Sequence, residues 1–371
     1  MAKIDQLFDL MIAHQASDLH LVQGQRPKLR QHGSIIPLSE EPLLDEARIR
    51  TFLQEICNPT RWANFLKTKD LDFAYEKDAT MRFRCNYYWQ IHGMAAVFRI
   101  IPTKILTVEE LHLPKVIKNF AHFRSGLVLV TGPTGSGKST TLAAVINHIN
   151  ERYRRYILTI EEPIEFVHKN KMSSFCQREV GSDVNTFADG LRSAARQDCD
   201  VILVGEMRDL ETISLALTAA SKGVLVFGTL HTNSAVKTVD RIIDVFPAPL
   251  QGMARSMLAD SLRGICAQLL MKKKSGGRVA VNEILLEGPG MGPSIREGNI
   301  SNLYNIISAG QSRGMKLMDD ALLEQVAQGN ADVEEAYLLA ESKEGFRDKV
   351  RSVIPIQPSA QPLPSSSPQR T

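Results

Sequence analysis

The residues of this chain best suited to chemistry form a glycine-rich stretch, GPTGSGKST, that runs from Gly132 to Thr140. The stretch fits the pattern G-x-x-x-x-G-K-[ST], in which backbone N–H groups surround the phosphates of a nucleotide. The lysine of the pattern, Lys138, reaches the outer phosphates, and the hydroxyl of Ser139 binds Mg²⁺. The sequence therefore predicts an ATP or GTP site with these contact residues: Gly132, Pro133, Thr134, Gly135, Ser136, Gly137, Lys138, Ser139 and Thr140.

Two elements have to position this loop. An apolar run, Leu127–Val130, precedes it and is typical of a buried strand, while Leu142, Val145 and Ile149 follow it at helical spacing. The N-terminus of such a helix carries a partial positive charge that favours a bound anion. Strand, loop and helix together favour a phosphate-binding loop over a glycine turn with an exposed lysine.

Three later segments offer the other groups that phosphate hydrolysis needs, such as a carboxylate that orients water. In YILTIEEPIE a strand ends in acids that include Glu162 and Glu165, and in VILVGE a strand ends at Glu206. In LVFGTLHT a strand delivers His231 to the same edge, where α/β sheets bind ligands. Because Gly205 stands where many nucleotide hydrolases have aspartate, we expect Glu206 to act on Mg²⁺ through water. The alternatives are solvated or helix-capping acids and a structural histidine.

Arginines in two strands of the first third of the chain offer positive charge. MRFRC contains Arg82 and Arg84, and VFRI contains Arg99, in patterns that otherwise alternate toward a core. If Arg84 and Arg99 share a face, they form a positive edge that could act as an arginine finger on a nucleotide held by a neighbouring subunit. Such fingers imply a ring. The alternative is ordinary solvent-facing charge.

Composition excludes several classes of protein. The net charge is +3 and charged residues of both signs make up 23% of the chain, so no strong positive field marks a nucleic-acid binder. The five cysteines include no C-x-x-C pair, which favours reduced thiols in the cytoplasm and no structural zinc. Because the chain has neither a signal peptide pattern nor a run of about 18 apolar residues, we expect no transmembrane segment and only peripheral membrane association.

Hydrophobic patterning divides the chain into four parts. Residues 1–101 predict a smaller α+β domain, residues 102–115 a linker, and residues 116–353 an α/β domain with a helical C-terminal part. Alternating strands and helices in the larger domain favour a parallel sheet covered on both faces. Residues 354–371 are rich in proline and serine without periodicity and predict a disordered tail.

The pattern also predicts individual elements in both domains. In the first domain we expect helices at Ala47–Glu55 and Thr60–Lys67, and strands at Leu29–Ile36 with a turn at Gly33, Asp72–Tyr75, Met81–Tyr88 and Met94–Ile100. In the second we expect strands at Leu127–Thr131, Tyr156–Ile160, Val201–Val204 and Leu225–Leu230. From Leu250 onward we expect mainly helices, at Leu258–Leu269, Leu303–Ile307 and Asp319–Ala327.

Several motifs taken together resemble one family. In chain order they are SDLHL, RFRCN, VFRIIP, GPTGSGKSTT, TIEEPIEF, QREVG, DVILVGEMRDLET and GTLHTNS. Their order and spacing are similar to those of secretion-type AAA-like ATPases, specifically the PilT-type twitching-motility retraction ATPases of type IV pili. The resemblance covers nearly the whole chain and is far more specific than the phosphate loop alone.

This resemblance implies a homohexameric ring of two-domain subunits, with a PAS-like first domain and a RecA-like P-loop NTPase second domain, that hydrolyses ATP with Mg²⁺. It implies that Arg84 and Arg99 complete a nucleotide site, with Arg82 a weaker candidate, that Glu165 is the general base and that Glu206 is the Walker B glutamate. It also implies docking on an inner-membrane platform protein from the cytoplasmic side, shortening of the pilus, and possible work beside a second PilT- or PilU-type motor.

The chain departs from the family pattern at several positions. The family usually has aspartate at the position of Glu162, a second histidine at that of Val224 and arginine at that of Ser125. The retraction signature AIRNLIRE is only half present, as PSIRE at Pro293–Glu297. These departures leave open a divergent or accessory ring component with weak ATPase activity, a related type II secretion or competence ATPase, and a nucleic-acid translocase, which the balanced charge disfavours.

Overall fold

The computed structural model describes residues 2–31, 34–78, 81–101 and 104–353, and the tail predicted at 354–371 lies outside the described residues. The chain divides into two compact units. Of the described residues, those within 2–105, 160–169 and 177–185 form one unit, and those within 106–159, 170–176 and 186–353 form the other. Two short segments from the middle of the chain thus belong with its N-terminal part.

The first unit is built on a six-stranded antiparallel sheet. Its elements are α1 (Asp5–Ala13), β1 (Asp18–Val22), β2 (Lys28–Gln31), β3 (Ser34–Pro37), α2 (Glu46–Glu55), α3 (Pro59–Thr68), β4 (Asp70–Asp78), β5 (Met81–Gln90) and β6 (Gly93–Ile101). The strand order is β3-β2-β1-β6-β5-β4. The predicted helices and the antiparallel sheet are confirmed, while Gly33, the predicted turn residue, lies outside the described residues.

Aromatic side chains fill the core between this sheet and its helices. The ring of Phe8 on α1 stacks on that of Phe83 with centroids 4.0 Å apart and meets Phe98 edge-on at 5.2 Å. All three residues have no exposed surface. The alternation of β5 and β6 places such residues on one face, so the arginines between them must lie on the other.

A seven-stranded sheet organises the second half of the chain. Its strands and helices are β7 (Gly126–Thr131), α4 (Lys138–Arg152), β8 (Tyr156–Glu161), β9 (Ser174–Glu179), α5 (Phe187–Ala194), β10 (Val201–Val204), α6 (Leu210–Ser221), β11 (Leu225–Leu230), α7 (Ala235–Asp244), α8 (Ala248–Ser261), β12 (Leu262–Lys272), β13 (Arg278–Leu286), α9 (Met291–Glu297), α10 (Asn302–Ala309), α11 (Met318–Ala327), α12 (Val333–Leu339) and α13 (Lys343–Val353). Short 3-10 helices span Lys115–His122 and Gln311–Arg313. The strand order is β13-β12-β7-β11-β10-β8-β9.

The four strands predicted for this sheet are confirmed, but the sheet is larger than predicted. Strands β10, β11, β7 and β12 pair in parallel, whereas β13 pairs antiparallel with β12 and makes the sheet mixed. Strand β9 was also not predicted, because its sequence SFCQRE is mostly half-exposed and lacks an apolar run. The predicted helices Leu303–Ile307 and Asp319–Ala327 are confirmed inside α10 and α11.

The helix predicted at Leu258–Leu269 is wrong over most of its length. Helix α8 ends at Ser261, and the next residues form β12 between β7 and β13. This strand is buried on both faces, so its apolar residues form a continuous run that periodicity alone cannot distinguish from a buried helix. The absence of a side chain at Gly264 permits close packing of this strand, because a Cβ there would lie 2.5 Å from the ring of Phe120.

A buried carboxylate on β13, that of Glu283, fixes the starts of two helices. One oxygen accepts hydrogen bonds from the Ala235 N–H at 2.6 Å and the Ser234 hydroxyl at 3.0 Å, and the other accepts from the Met318 N–H at 3.1 Å. Burial raises the pKa of Glu283, and these hydrogen bonds oppose the rise. The side chain therefore ties the N-termini of α7 and α11 to the sheet.

We expect Glu283→Ala to lower the free energy of unfolding by about 2–4 kcal/mol, because two buried backbone N–H groups lose their acceptor. Urea denaturation measures the change. Glu287→Ala is the matched control, since its 42% exposed carboxylate pairs with Arg263 at the surface and should contribute no more than about 1 kcal/mol. Equal effects of the two substitutions would contradict the role assigned to Glu283.

Candidate nucleotide-hydrolysis site

The phosphate loop leaves the end of β7 through glycines that no other residue could replace without strain. Gly132 has φ +146°, and a Cβ there would lie 2.2 Å from the carbonyl oxygen of Gln268. Gly137, with φ +85°, is the N-cap of α4 and provides no capping side chain. The first N–H groups of α4 therefore point toward the loop, as in phosphate-binding helix termini.

Lys138 is the first residue of α4 and folds back over the loop. Its Nζ donates hydrogen bonds to the carbonyl oxygens of Gly132 at 2.8 Å and Pro133 at 3.0 Å. Ser139 is exposed beside it, and Thr140 is half-buried. The ammonium group and the hydroxyl of the predicted motif thus stand at the mouth of the same loop.

Glu206 lies two residues after the end of β10, at the carboxyl end of the sheet. Because β7, β10 and β11 are parallel, the residues that follow them emerge at one edge. The carboxylate of Glu206 forms an ion pair with the guanidinium group of Arg208. The Nε and Nη2 of Arg208 lie 2.5 Å and 2.6 Å from the two carboxylate oxygens. Burial acts to raise the pKa of Glu206, but the hydrogen bond and charge of Arg208 and the proximity of His231 outweigh it and lower the pKa.

His231 follows β11 directly. Because β11 is the neighbour of β10 in the sheet, His231 lies beside Glu206. Its Nε2 lies 2.8 Å from Oε1 of Glu206, and its side chain is 48% exposed against 18% for Glu206. The two residues predicted to share this edge are therefore brought into hydrogen-bond contact. An acid and a ring nitrogen in this arrangement can hold a water molecule or a metal-bound water in a fixed orientation.

The other predicted acids lie in the first unit. Glu165 is half-buried, and its carboxylate lies 3.7 Å from Nη1 of Arg84. Glu162 is exposed and precedes Pro163, to which it is joined by a cis peptide bond. Of the two acids, Glu165 is thus the one placed beside a predicted arginine.

The predicted arginines fall into two groups. Arg84 on β5 is directly opposite Arg99 on β6, so the two side chains share a face, which is the condition for a positive edge. Arg99 is 69% exposed and donates from Nε to Asp18 at 2.7 Å, and Arg84 is 43% exposed. Arg82, in contrast, is 14% exposed and lies within 4.0 Å of Glu76 and Glu179, which suits a structural role.

Sequence reasoning missed several residues that organise these groups. Glu179 accepts hydrogen bonds from Arg61 at 2.5 Å and from the Ile164 N–H at 3.2 Å, and thereby joins the acidic segment to α3. Its only signal was its place in the motif QREVG. Arg208 stands two residues after Glu206, where a charged residue in a loop gives no signal of its own. The buried Gln268 gave none at all.

Comparisons with known proteins identify the class. A sequence model of the family described as type II/IV secretion system protein matches residues 2–338. The chain belongs to this family, and it is an ATPase of α/β fold in which an N-terminal domain precedes the ATPase domain.

Individual relatives narrow the class further. The chain is 47% identical over 343 residues, 92% of its length, to the type IV pilus retraction ATPase PilT of Pseudomonas aeruginosa, 99% of which is covered. It is 36% identical over 346 residues to the type IV pilus ATPase PilU of the same organism, with 93% and 90% of the two chains covered. The crystal structure of the pilus retraction motor PilT with bound ADP superposes with a TM-score of 0.87 at 38% identity, over 94% of this chain and 100% of that one.

Within the described residues, none of the helices has the length and apolar character that crossing a membrane requires.

Proposed function

We propose that this chain is the ATP-hydrolysing motor that retracts type IV pili, working as a homohexameric ring at the cytoplasmic side of the pilus base. The observation that carries this proposal is the similarity along nearly the whole chain to a retraction ATPase, which extends to the N-terminal domain as well as the phosphate loop. The ring would dock on an inner-membrane platform protein and convert ATP hydrolysis into removal of pilin subunits from the fibre.

In the proposed reaction the phosphate loop holds ATP. Backbone N–H groups between Gly132 and Thr140 surround the β- and γ-phosphates, and Lys138 leaves its carbonyl partners to neutralise their outer oxygens. Mg²⁺, when bound, screens the charge of the phosphates. The hydroxyl of Ser139 and, through water, the carboxylate of Glu206 would hold the ion, since hard oxygen donors of this kind suit magnesium.

The remaining residues act on the attacking water and the departing phosphate. We assign Glu165 the role of general base that orients the water, with Glu162 as an auxiliary acid. His231, in contact with Glu206, would sense the γ-phosphate. Arg84 and Arg99 would supply the positive charge that stabilises the transition state.

Deletion of the gene, scored by counting surface pili, tests the proposed direction of force. We expect excess pili that fail to retract, restored to normal by the wild-type gene but not by a Lys138→Ala allele. Bald cells would instead assign the protein to pilus assembly or secretion, and unchanged pili would remove it from the pilus machinery.

A second candidate function is an accessory ring component that stiffens a partner motor of PilT or PilU type. The half-present retraction signature at Pro293–Glu297 favours it. This candidate predicts at most weak turnover without the partner motor. ATPase activity of the purified protein alone at the rate of an autonomous motor, lost in Glu206→Gln, would exclude it.

The pH profile tests the role of Glu206. Arg208→Ala removes the hydrogen bond and charge that lower the pKa of Glu206, while the burial that raises it remains. We therefore expect the acid limb of the kcat profile to move to higher pH in this variant, measured by steady-state ATPase assays. An acid limb at the wild-type pH would show that another group controls it.

A further inference from the structure

We infer that Gln268 is a positioning residue for ATP hydrolysis, which sets the phosphate loop and the first turn of α4 in the geometry that binds nucleotide. The inference rests on the nucleotide site proposed above. Gln268 lies outside all of the sequence motifs named for that site.

Strand pairing brings Gln268 level with the start of the loop. Strand β12 pairs in parallel with β7, and Ala267 is the partner of Thr131, the last residue before Gly132. The backbone of Gln268 therefore runs directly against Gly132, whose missing side chain permits this approach. The side chain of Gln268 is only 2% exposed.

Both ends of the Gln268 amide are used. Its Nε2 donates to the carbonyl oxygen of Ser136 at 2.6 Å, and its Oε1 accepts from the Thr141 hydroxyl at 2.8 Å and from Nδ2 of Asn282 at 3.0 Å. Ser136 is the residue before Gly137, and Thr141 lies in the first turn of α4. One side chain thus joins the end of the loop to the helix that follows it.

This bridge fixes the peptide groups that must face the phosphates. The peptide that joins Ser136 to Gly137 has its oxygen held by Gln268, so its N–H is turned to the opposite side. Thr141 is held three residues after Lys138, which fixes the rotation of the helix start that carries the lysine and Ser139. Asn282 in turn orients the Gln268 side chain. Its Nδ2 donates a hydrogen bond that only the oxygen of the Gln268 amide can accept.

We expect loss of the Gln268 side chain to impair nucleotide binding and hydrolysis while the protein remains folded. A shift of about 1 Å in groups that contact the reacting phosphates costs on the order of 100-fold in rate, and binding weakens as well. The glutamine is buried and contacts the loop and the helix, so its effect on bound phosphates is exerted through those two segments. Its loss should therefore raise the Kd for nucleotide and lower kcat in protein that remains folded.

Gln268→Met and Gln268→Glu, made in the full chain, test the inference. Methionine keeps the volume and removes every hydrogen bond, whereas glutamate keeps the acceptor for Thr141 and loses the donor for Ser136. For both variants we expect the Kd for ADP to rise about tenfold and kcat for ATP to fall about 10- to 100-fold. Wild-type Kd and kcat in either variant would overturn the inference.

Leu269→Ala is the matched control for general destabilisation. Leu269 is the next residue of β12, 7% exposed, and packs in the cluster on the other face of the strand with Val281 and Leu322. We expect it to lower the thermal midpoint as much as Gln268→Met does, or more, with Kd and kcat near wild type. A parallel loss of binding in Leu269→Ala would assign the effect to stability and overturn the inference.

Coupling to Thr141 provides a second measurement. Thr141→Val removes the hydroxyl at nearly constant volume, so its effect on the Kd for ADP should be much smaller in the Gln268→Met background than in wild type. Additive effects would show that the two residues act separately and would overturn the bridge. If wild-type protein itself fails to bind ADP, the proposed function fails, whereas a wild-type protein that binds beside unaffected variants removes this inference alone.

Discussion

Lys138→Ala should reduce ATP turnover to less than about 1% of the wild-type rate while leaving the protein folded. The ammonium group is the only charge that the phosphate loop itself carries, and removing a preorganised charge donor from a transition state costs about 10²- to 10³-fold. The fold should survive, because alanine favours helix and Lys138 is the first residue of α4. The two carbonyl oxygens that it contacts belong to Gly132 and the exposed Pro133.

Steady-state ATPase assays and thermal unfolding of the same preparation measure the two parts of this result. Lys274→Ala is the control, since it removes an exposed lysine that is paired with Asp332 at 2.9 Å in the turn between β12 and β13. Its turnover should equal wild type. If Lys138→Ala hydrolysed ATP at the wild-type rate, the nucleotide site would have to be placed elsewhere in the chain.

The sequence was sufficient for the parts of this site that local chemistry dictates. A loop that needs positive φ at Gly132 and Gly137 can be recognised from glycine spacing alone. The adjacency of Glu206 and His231 was also predictable, because parallel strands end at a common edge and both residues follow apolar runs. Their contact at 2.8 Å follows from the pairing of β10 with β11.

Strand pairing between distant segments was not predictable. The sequence of β12 predicted a helix, because burial on both faces removes the alternation that identifies a strand. With β12 misassigned, its antiparallel partner β13 was missed, and so was the mixed character of the sheet. The buried polar residues of these strands, Gln268 and Glu283, were also missed. Their hydrogen-bond partners Ser136 and Ala235 are 132 and 48 residues away in the chain, so local sequence patterns give no sign of the contacts.

For the arginines, the sequence predicted a positive edge only if Arg84 and Arg99 lay on the same face of the sheet, and the fold meets this condition. Alternation along MRFRC and VFRI put Arg84 and Arg99 outside the core, but whether they shared a face depended on the register of β5 and β6. The register places them opposite each other. It also separates them from Arg82, which Glu76 and Glu179 hold. Their catalytic roles stay predictions that only kinetics can test.

Arg99→Ala should leave ATP binding near normal and lower kcat by about 10³-fold, the effect of an arginine supplied to a phosphoryl-transfer site. The side chain is 69% exposed although its partner Asp18 is 3% exposed, so the guanidinium group presents donors to solvent beyond the one that Asp18 uses. Nucleotide binding, measured by fluorescence titration, and single-turnover hydrolysis separate the two parameters. Unchanged hydrolysis would return Arg99 to the class of solvent-facing charges.

The pairing with Asp18 requires a control, because Arg99→Ala also leaves a buried carboxylate with less compensation. Arg30→Ala removes the other cation near Asp18, 4.0 Å away, and should cost stability without a comparable loss of kcat. In the double variant Arg99→Ala/Asp18→Asn the buried charge is gone, so stability should recover while turnover stays low. Recovery of turnover in the double variant would show that Arg99 serves only to neutralise Asp18.

Mixed rings then identify the nucleotide that Arg99 serves. Neither Arg99→Ala nor Glu206→Gln subunits should hydrolyse ATP appreciably alone. If the arginine acts on a neighbour, a mixed ring contains interfaces where Glu206 of one subunit and Arg99 of the next are both intact, and part of the activity returns. If it acts within its own subunit, no interface combines the two intact groups and the mixture stays inactive. Because both variants carry the same phosphate loop, a difference between the mixture and the separate variants reports the geometry of the ring and not nucleotide affinity.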